Sequence, residues 1–148
     1  MTVDDVVFSS KRCEWETPRH IFDALDDFWK FTLDPASSDE NALCDKHYTK
    51  ENDGLSHSWR GERVFLNPPY GSEIGDWVRK AYNECLDGTT VVIALLPART
   101  DVKWFHDYIL GKADEVKFIK GRLSFCIDGT KCGQAPFPSM LVRWGGRL

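Results

Sequence analysis

The order of apolar segments along the chain predicts an α/β fold, a mostly parallel sheet with a late antiparallel hairpin at one edge. Three observations predict it. Strand-like segments (62–67, 89–96, 116–119) alternate with segments whose apolar residues recur at helical spacing, the order expected of strand–helix–strand units. Thr89 to Leu96 is almost continuously apolar, as a central strand covered on both faces must be. Two late apolar runs, Arg122–Ile127 and Ser139–Trp144, read as a closing pair joined by a loop containing Gly and Pro.

Taken in chain order, residues 1–12 form a loose lead-in. Thr17-Pro18 then opens a helix, with Thr as N-cap and Pro as its first residue. Ile21, Phe22, Leu25 and Phe28 follow at helical spacing and are assigned to the core. Phe31-Thr32-Leu33-Asp34 reads as a short strand ending in an acid, residues 39–45 as a short helix, and His47-Tyr48-Thr49 as a second short strand. Asp53-Gly54 marks a turn. The strand at 62–67 runs into Asn67-Pro68-Pro69-Tyr70. Ile74 to Leu86 is helical, with Trp77, Val78, Ala81 and Tyr82 on one face, and Asp87-Gly88 ends it. Pro97-Ala98-Arg99-Thr100 is a loop, 101–110 a helix carrying Trp104, Phe105 and Tyr108, and Val116–Ile119 a strand.

A length of 148 residues fits one domain, 1–148, with room for a full core. Apolar residues make up 42% of the chain, which argues against disorder. No apolar run approaches the ~20 residues of a membrane span, and residues 1–10 lack the basic start of a secretory signal. The expected location is the cytoplasm. Five cysteines without close pairs fit a reducing compartment. Cys44-x2-His47 has no second half at zinc-site spacing, so no metal is expected. The net charge of -4 conceals an asymmetry: residues 1–74 carry 8 Lys+Arg against 15 Asp+Glu, the remainder 11 against 8. Late cations such as Arg99, Lys120 and Arg122 are either a solvated face or a phosphate-contacting rim on an acidic body.

Asn67-Pro68-Pro69-Tyr70 is the segment with the most chemistry. Pro-Pro ending a strand has an ordinary structural meaning, since proline cannot continue the ladder. The same turn can also hold an exocyclic amino group between two carbonyl acceptors, the Asn67 side-chain oxygen and the Pro68 backbone oxygen. Rigid φ angles pre-organise that backbone oxygen, and Tyr70 can stack on the attached heterocycle. Asp34 and Asn67 both lie at expected strand ends, where ligands of open α/β sheets sit.

Several segments taken in order resemble the phage-type DNA N6-adenine methyltransferases, the Dam-like family. They are Glu16-Thr17-Pro18, Leu33-Asp34-Pro35-Ala36, Asn41 with Cys44, Asp53-Gly54-Leu55, Trp59, Asn67 to Gly71, Leu96 to Thr100, Gly121 to Phe125 and Ala135 to Ser139. The resemblance covers nearly the whole chain. It implies a Rossmann-like fold, S-adenosylmethionine as methyl donor and a flipped adenine of DNA as acceptor. It implies catalytic roles for Asn67, Pro68, Pro69 and Tyr70. It also implies a cofactor set of Thr17, Pro18, Asp34, Pro35, Ala36, Asn41, Asp53 and Asn67, with Asp34 the partner of the cofactor's amino group. One departure stands out: the loop after Asp34 contains no Gly, and Asn41 is the expected substitute for some of that contact. Arg99, Lys120 and Arg122 are candidates for DNA contacts, and Trp15 and Trp59 for the pocket border. No separate target-recognition domain is expected, so specificity would rest on loops 71–75, 99–103 and 127–138 or on a second subunit, the chain being a monomer or a homodimer. The resemblance further implies protection of phage DNA from host restriction. Two alternatives remain: a methyltransferase acting on RNA bases or protein glutamine, and a non-catalytic DNA-binding module of the same fold.

Overall fold

The computed structural model describes residues 16–127 and 130–146. Trp15 and the lead-in therefore lie outside the described residues. The elements in order are α1 (Arg19–Trp29), a 3-10 turn (Gly54–Ser56), β1 (Arg63–Leu66), α2 (Ile74–Glu84), β2 (Val91–Pro97), α3 (Lys103–Tyr108), β3 (Glu115–Phe118), β4 (Ser124–Ile127), β5 (Thr130–Gln134) and β6 (Ser139–Trp144).

Four strands form the main sheet in the order β1-β2-β6-β3. β1 and β2 are parallel, whereas β6 runs antiparallel to both β2 and β3. The expected mostly parallel sheet is thus corrected to a mixed one. The physical reason is a single reversed strand, β6, which sits between β2 and β3 and makes both of its ladders antiparallel. The expected hairpin is corrected too. The partner of β4 is β5, in a separate two-stranded sheet, and β6 goes to the main sheet instead. One consequence positions the site: β1, β2 and β3 all point the same way, so their carboxyl ends share one edge.

Side chains alternate between the two sheet faces, as strand geometry requires. Val64, Leu66, Val92, Ala94, Leu96, Met140, Val142 and Trp144 pack with Trp77, Val78 and Ala81 of α2 and Phe105 of α3. Phe65 and Leu95 face the other way and meet Phe22 of α1 together with Leu123 and Ala135, which flank the small hairpin. Coverage on both faces is why β2 is buried at every position.

Several local expectations change. Pro18, not Thr17, is the N-cap of α1, and its carbonyl accepts from the Ile21 and Phe22 amides. Phe28 is 62% exposed and meets Trp29 edge-on at 5.0 Å rather than joining the core. Segments 31–34 and 47–49 reduce to single parallel bridges, Leu33 with Val64 and Asp34 with His47. Residues 39–45 are turns and bends instead of a helix. There the Ser38 amide donates to Asn41 Oδ1 at 2.7 Å and the Asn41 amide to Ser38 Oγ at 3.2 Å, a reciprocal turn that competes with helix. Among the described residues no helix is long and apolar enough to cross a membrane.

Candidate active site

A cleft of about 1010 Å³ opens beyond the carboxyl end of β1. Its wall brings together Thr17, Asp34, Pro35, Ala36, Asn41, Asp53, Asn67, Pro68, Pro69 and Tyr70 from four separate stretches of chain. Ten of the expected site residues therefore share one cavity. Pro18 does not: it is buried at the start of α1, where its carbonyl caps the helix.

The Asn67–Tyr70 turn is shaped by what proline lacks. The paired register of β1 and β2 ends at Leu66 with Ala94, and one more step would set 67 opposite 95. In a parallel ladder the next donor to the Leu95 carbonyl would be the N–H of residue 68, and Pro68 has none. The Tyr70 hydroxyl takes that place, donating to the Leu95 carbonyl at 3.2 Å. Burial pushes the Tyr70 phenol above its ordinary pKa, which keeps it a neutral donor. The tether fixes the ring, whose edge also meets Phe137 at a centroid distance of 5.4 Å. Asn67 Nδ2 donates to Thr17 Oγ1 at 2.9 Å, so the amide sits with nitrogen towards Thr17 and oxygen away from it.

Across the cleft, Asp34 ends its bridge as a buried residue, only 4% exposed. Oδ2 accepts from the Leu43 amide at 3.1 Å and Oδ1 from the Ala36 amide at 3.4 Å, which draws the loop 35–43 inward. Burial raises the carboxyl above its ordinary pKa, and the two amide bonds oppose that rise without cancelling it. A raised folded-state value means the folded protein favours the protonated form, so the stability Asp34 gives is present at low pH and is lost as pH climbs from about 4 through the raised value. Asp34→Asn is therefore expected to become more stable relative to wild type as pH rises across that window. Urea melts of both proteins at several pH values check the sign, and a difference that stays flat or turns the other way refutes it.

The loop after Asp34, which has no glycine of its own, is packed against one from another turn. A Cβ on Gly54 would stand 2.1 Å from the Pro35 carbonyl oxygen and 3.1 Å from the Trp77 ring. The Gly54 turn is held from behind by Trp59, whose Nε1 donates to the Gly54 carbonyl at 3.0 Å and whose ring stacks on Trp77. Trp59 is thus a fully buried support. Asp53 holds a left-handed conformation, φ 57°, and accepts from the Leu55 amide. Gly54 and Trp77 are the residues that sequence reasoning missed. The Asp-Gly dipeptide signalled a turn, but nothing local revealed what the turn packs against. Asn41, the expected substitute, uses its side-chain oxygen to accept from the Ser38 amide, which holds it in the turn.

Arg99, Lys120 and Arg122 lie outside the cleft and are exposed. The Ala98 amide donates to the Pro138 carbonyl and the Ile119 amide to the Ser139 carbonyl, which puts Arg99 and Lys120 at the same edge of the sheet as Asn67. Among the described residues none of the three cations meets a carboxylate, unlike Lys103 with Asp107 or Arg143 with Glu115. His47 has both ring nitrogens engaged, by Asp39 and by the Asp45 carbonyl. Cys44 and Cys85 are thiols pushed up to about 12, chiefly by burial, and are not thiolates at neutral pH.

Comparison with known proteins adds to this geometry. A family model described as DNA N-6-adenine-methyltransferase (Dam) matches residues 6–145. The chain is 34% identical over 119 residues to the DNA N-6-adenine-methyltransferase of Escherichia phage T1, an alignment covering 79% of this chain and 49% of that protein. It is 30% identical over 133 residues to the DNA N-6-adenine-methyltransferase of Haemophilus phage HP1, covering 86% of this chain and 76% of that one. The chain thus spans about half the length of the phage T1 relative.

Proposed function

The chain belongs to the DNA N-6-adenine-methyltransferase (Dam) family, and from that premise we propose that it moves a methyl group from S-adenosylmethionine to N6 of an adenine in DNA. The observation that carries this reading is the single cleft that holds Asp34 on one wall and Asn67 to Tyr70 on another. Its volume is at the upper end of the ~300–1,000 Å³ typical of small-molecule sites, enough for a nucleoside cofactor with a base beside it.

The residues present fit the cofactor on two counts. Gly54 lies so close to Pro35 that a side chain would push the Pro35 wall of the cleft out of place. Asp34 is a buried carboxyl whose desolvation an arriving ammonium would relieve. Asp34, Pro35, Ala36 and Asp53 would hold the group. When bound it supplies an electrophilic methyl on a sulfonium sulfur.

The chain's own part is to make N6 a nucleophile. The N6 lone pair is delocalised into the purine ring. Asn67 Oδ1 and the Pro68 carbonyl each accept one N6–H, which draws the amine towards tetrahedral geometry and localises the lone pair. Tyr70, tethered through its hydroxyl, offers a fixed ring for the base to stack on. A base inside a duplex cannot reach the turn, so it enters flipped. The proton lost from N6 passes to water at the open mouth of the cleft. Transfer is direct in this reading, an in-line displacement from sulfur to N6 with no covalent intermediate on the enzyme. Positioning and electrostatics carry the rate.

Incubation with labelled S-adenosylmethionine and unmethylated DNA tests the reading: label should appear in N6-methyladenine. Label found in RNA or protein glutamine instead, or in no acceptor, would overturn it. Arg99, Lys120 and Arg122 would contact the phosphates flanking the flipped base. Arg99→Ala and Arg122→Ala are each expected to weaken DNA binding on all sequences and to lower the salt slope by about 0.9 per lost contact. Fluorescence anisotropy across a salt series measures this, and an unchanged slope removes the residue from the interface.

A further inference from the structure

We infer that Thr17 is a positioning residue for the methyl transfer: its hydroxyl holds the amide of Asn67 in the plane from which the side-chain oxygen meets the acceptor amine. This role rests on the methyl-transfer reading and deepens it.

The hydroxyl is available for the task because the helix does not use it. Thr17 has the residue type and place of an N-cap, yet the cap of α1 is Pro18 and carries no side-chain cap bond. Thr17 Oγ1 instead accepts from Asn67 Nδ2 at 2.9 Å, across fifty positions of chain. Both partners hang from one packing unit. Five residues beyond Thr17, Phe22 is buried and meets Phe65 edge-on at 5.3 Å, and Phe65 lies two residues before Asn67. The bond therefore joins two short arms whose bases are locked together, which makes it a rigid brace rather than a surface contact.

An amide needs such a brace. Rotation about the terminal torsion of Asn is soft, and a partial turn would carry the carbonyl out of line with N6. A hydroxyl can serve either end of the amide, so Thr17 sets where the plane lies and the N6 donors select the end. Without the hydroxyl, the amide loses this hold on its plane, and the loss falls on kcat.

The test compares Thr17→Val with Thr17→Ser in the full chain. The valine variant is expected to lower kcat about tenfold, the worth of one hydrogen bond, with the S-adenosylmethionine Kd unchanged within about twofold. The serine variant restores the hydroxyl and should recover kcat to within about threefold. A readout independent of turnover is the side-chain amide resonance of Asn67 in a 15N spectrum, assigned by its disappearance in Asn67→Ala. It should move or broaden in Thr17→Val and hold its place in Thr17→Ser. An unmoved resonance, a serine variant as slow as the valine one, or a loss confined to cofactor Kd would each overturn the role, the last assigning Thr17 to the cofactor instead. If wild type methylates no DNA, the methyl-transfer reading fails, while the resonance still decides whether Thr17 holds Asn67.

Discussion

Replacing Asn67 with alanine is expected to lower kcat by about two to three orders of magnitude, the usual cost of removing one preorganised polar group from the site where charge develops. The effect is differential. As the methyl arrives, N6 becomes positive and its two hydrogens become stronger donors, so the bond to Asn67 Oδ1 strengthens on the way to the transition state. An interaction that grows in this way affects kcat more than substrate affinity. The fold should tolerate the change, because Asn67 is only half-buried and the Thr17 hydroxyl is a partner that water can replace. Asn67→Asp is the informative companion. It keeps an acceptor oxygen, and Thr17 can reverse its role and donate, so its rate should fall between alanine and wild type. Single-turnover methylation at saturating cofactor measures both. An alanine variant that transfers at the wild-type rate would sink the proposed geometry.

The parts of this site legible in the sequence are those fixed by local chemistry. Asn67-Pro68-Pro69-Tyr70 ends a strand because proline has no N–H, and that fact alone places the turn at the carboxyl edge. Asp34 was legible at a strand end even though its strand shrinks to a bridge. What the sequence concealed is tertiary. The Thr17–Asn67 bond joins residues fifty apart, and Thr17 by itself looks like an N-cap. The partner of β6 is not legible in β6 itself, because its apolar pattern fits either a hairpin or a sheet interior. A local signal existed for the right answer: Asp128-Gly129 separates β4 from β5 in the sequence, and Asp-Gly between two strand-like runs favours a two-residue hairpin. Pairing β4 with β5 closes a much shorter loop than pairing it with β6, at a lower entropic cost. With β4 taken, β6 is left to fill the gap between β2 and β3, and the sheet becomes mixed.

Gly54→Ala is expected to lower Tm by several degrees and to weaken S-adenosylmethionine binding about tenfold or more. The added methyl would stand 2.1 Å from the Pro35 carbonyl oxygen. That is a backbone atom, and no rotamer change can move it aside. Retreat in the other direction is blocked as well, since Trp59 pins the Gly54 carbonyl from behind and the Trp77 ring lies 3.1 Å from the new atom. Strain of this kind costs about 1–3 kcal/mol, worth roughly 2–4 °C per kcal/mol in a domain of this size. Relief comes by displacing Pro35 and Ala36, the wall that would hold the cofactor. Gly88→Ala separates this from a general glycine effect. Gly88 has φ 82° and a Cβ there meets nothing, so alanine strains the backbone without touching the cleft. It should lower Tm and leave cofactor Kd alone. Calorimetry on both variants decides: if Gly54→Ala binds S-adenosylmethionine as wild type does, the close approach of Gly54 to Pro35 has no part in forming the cofactor site.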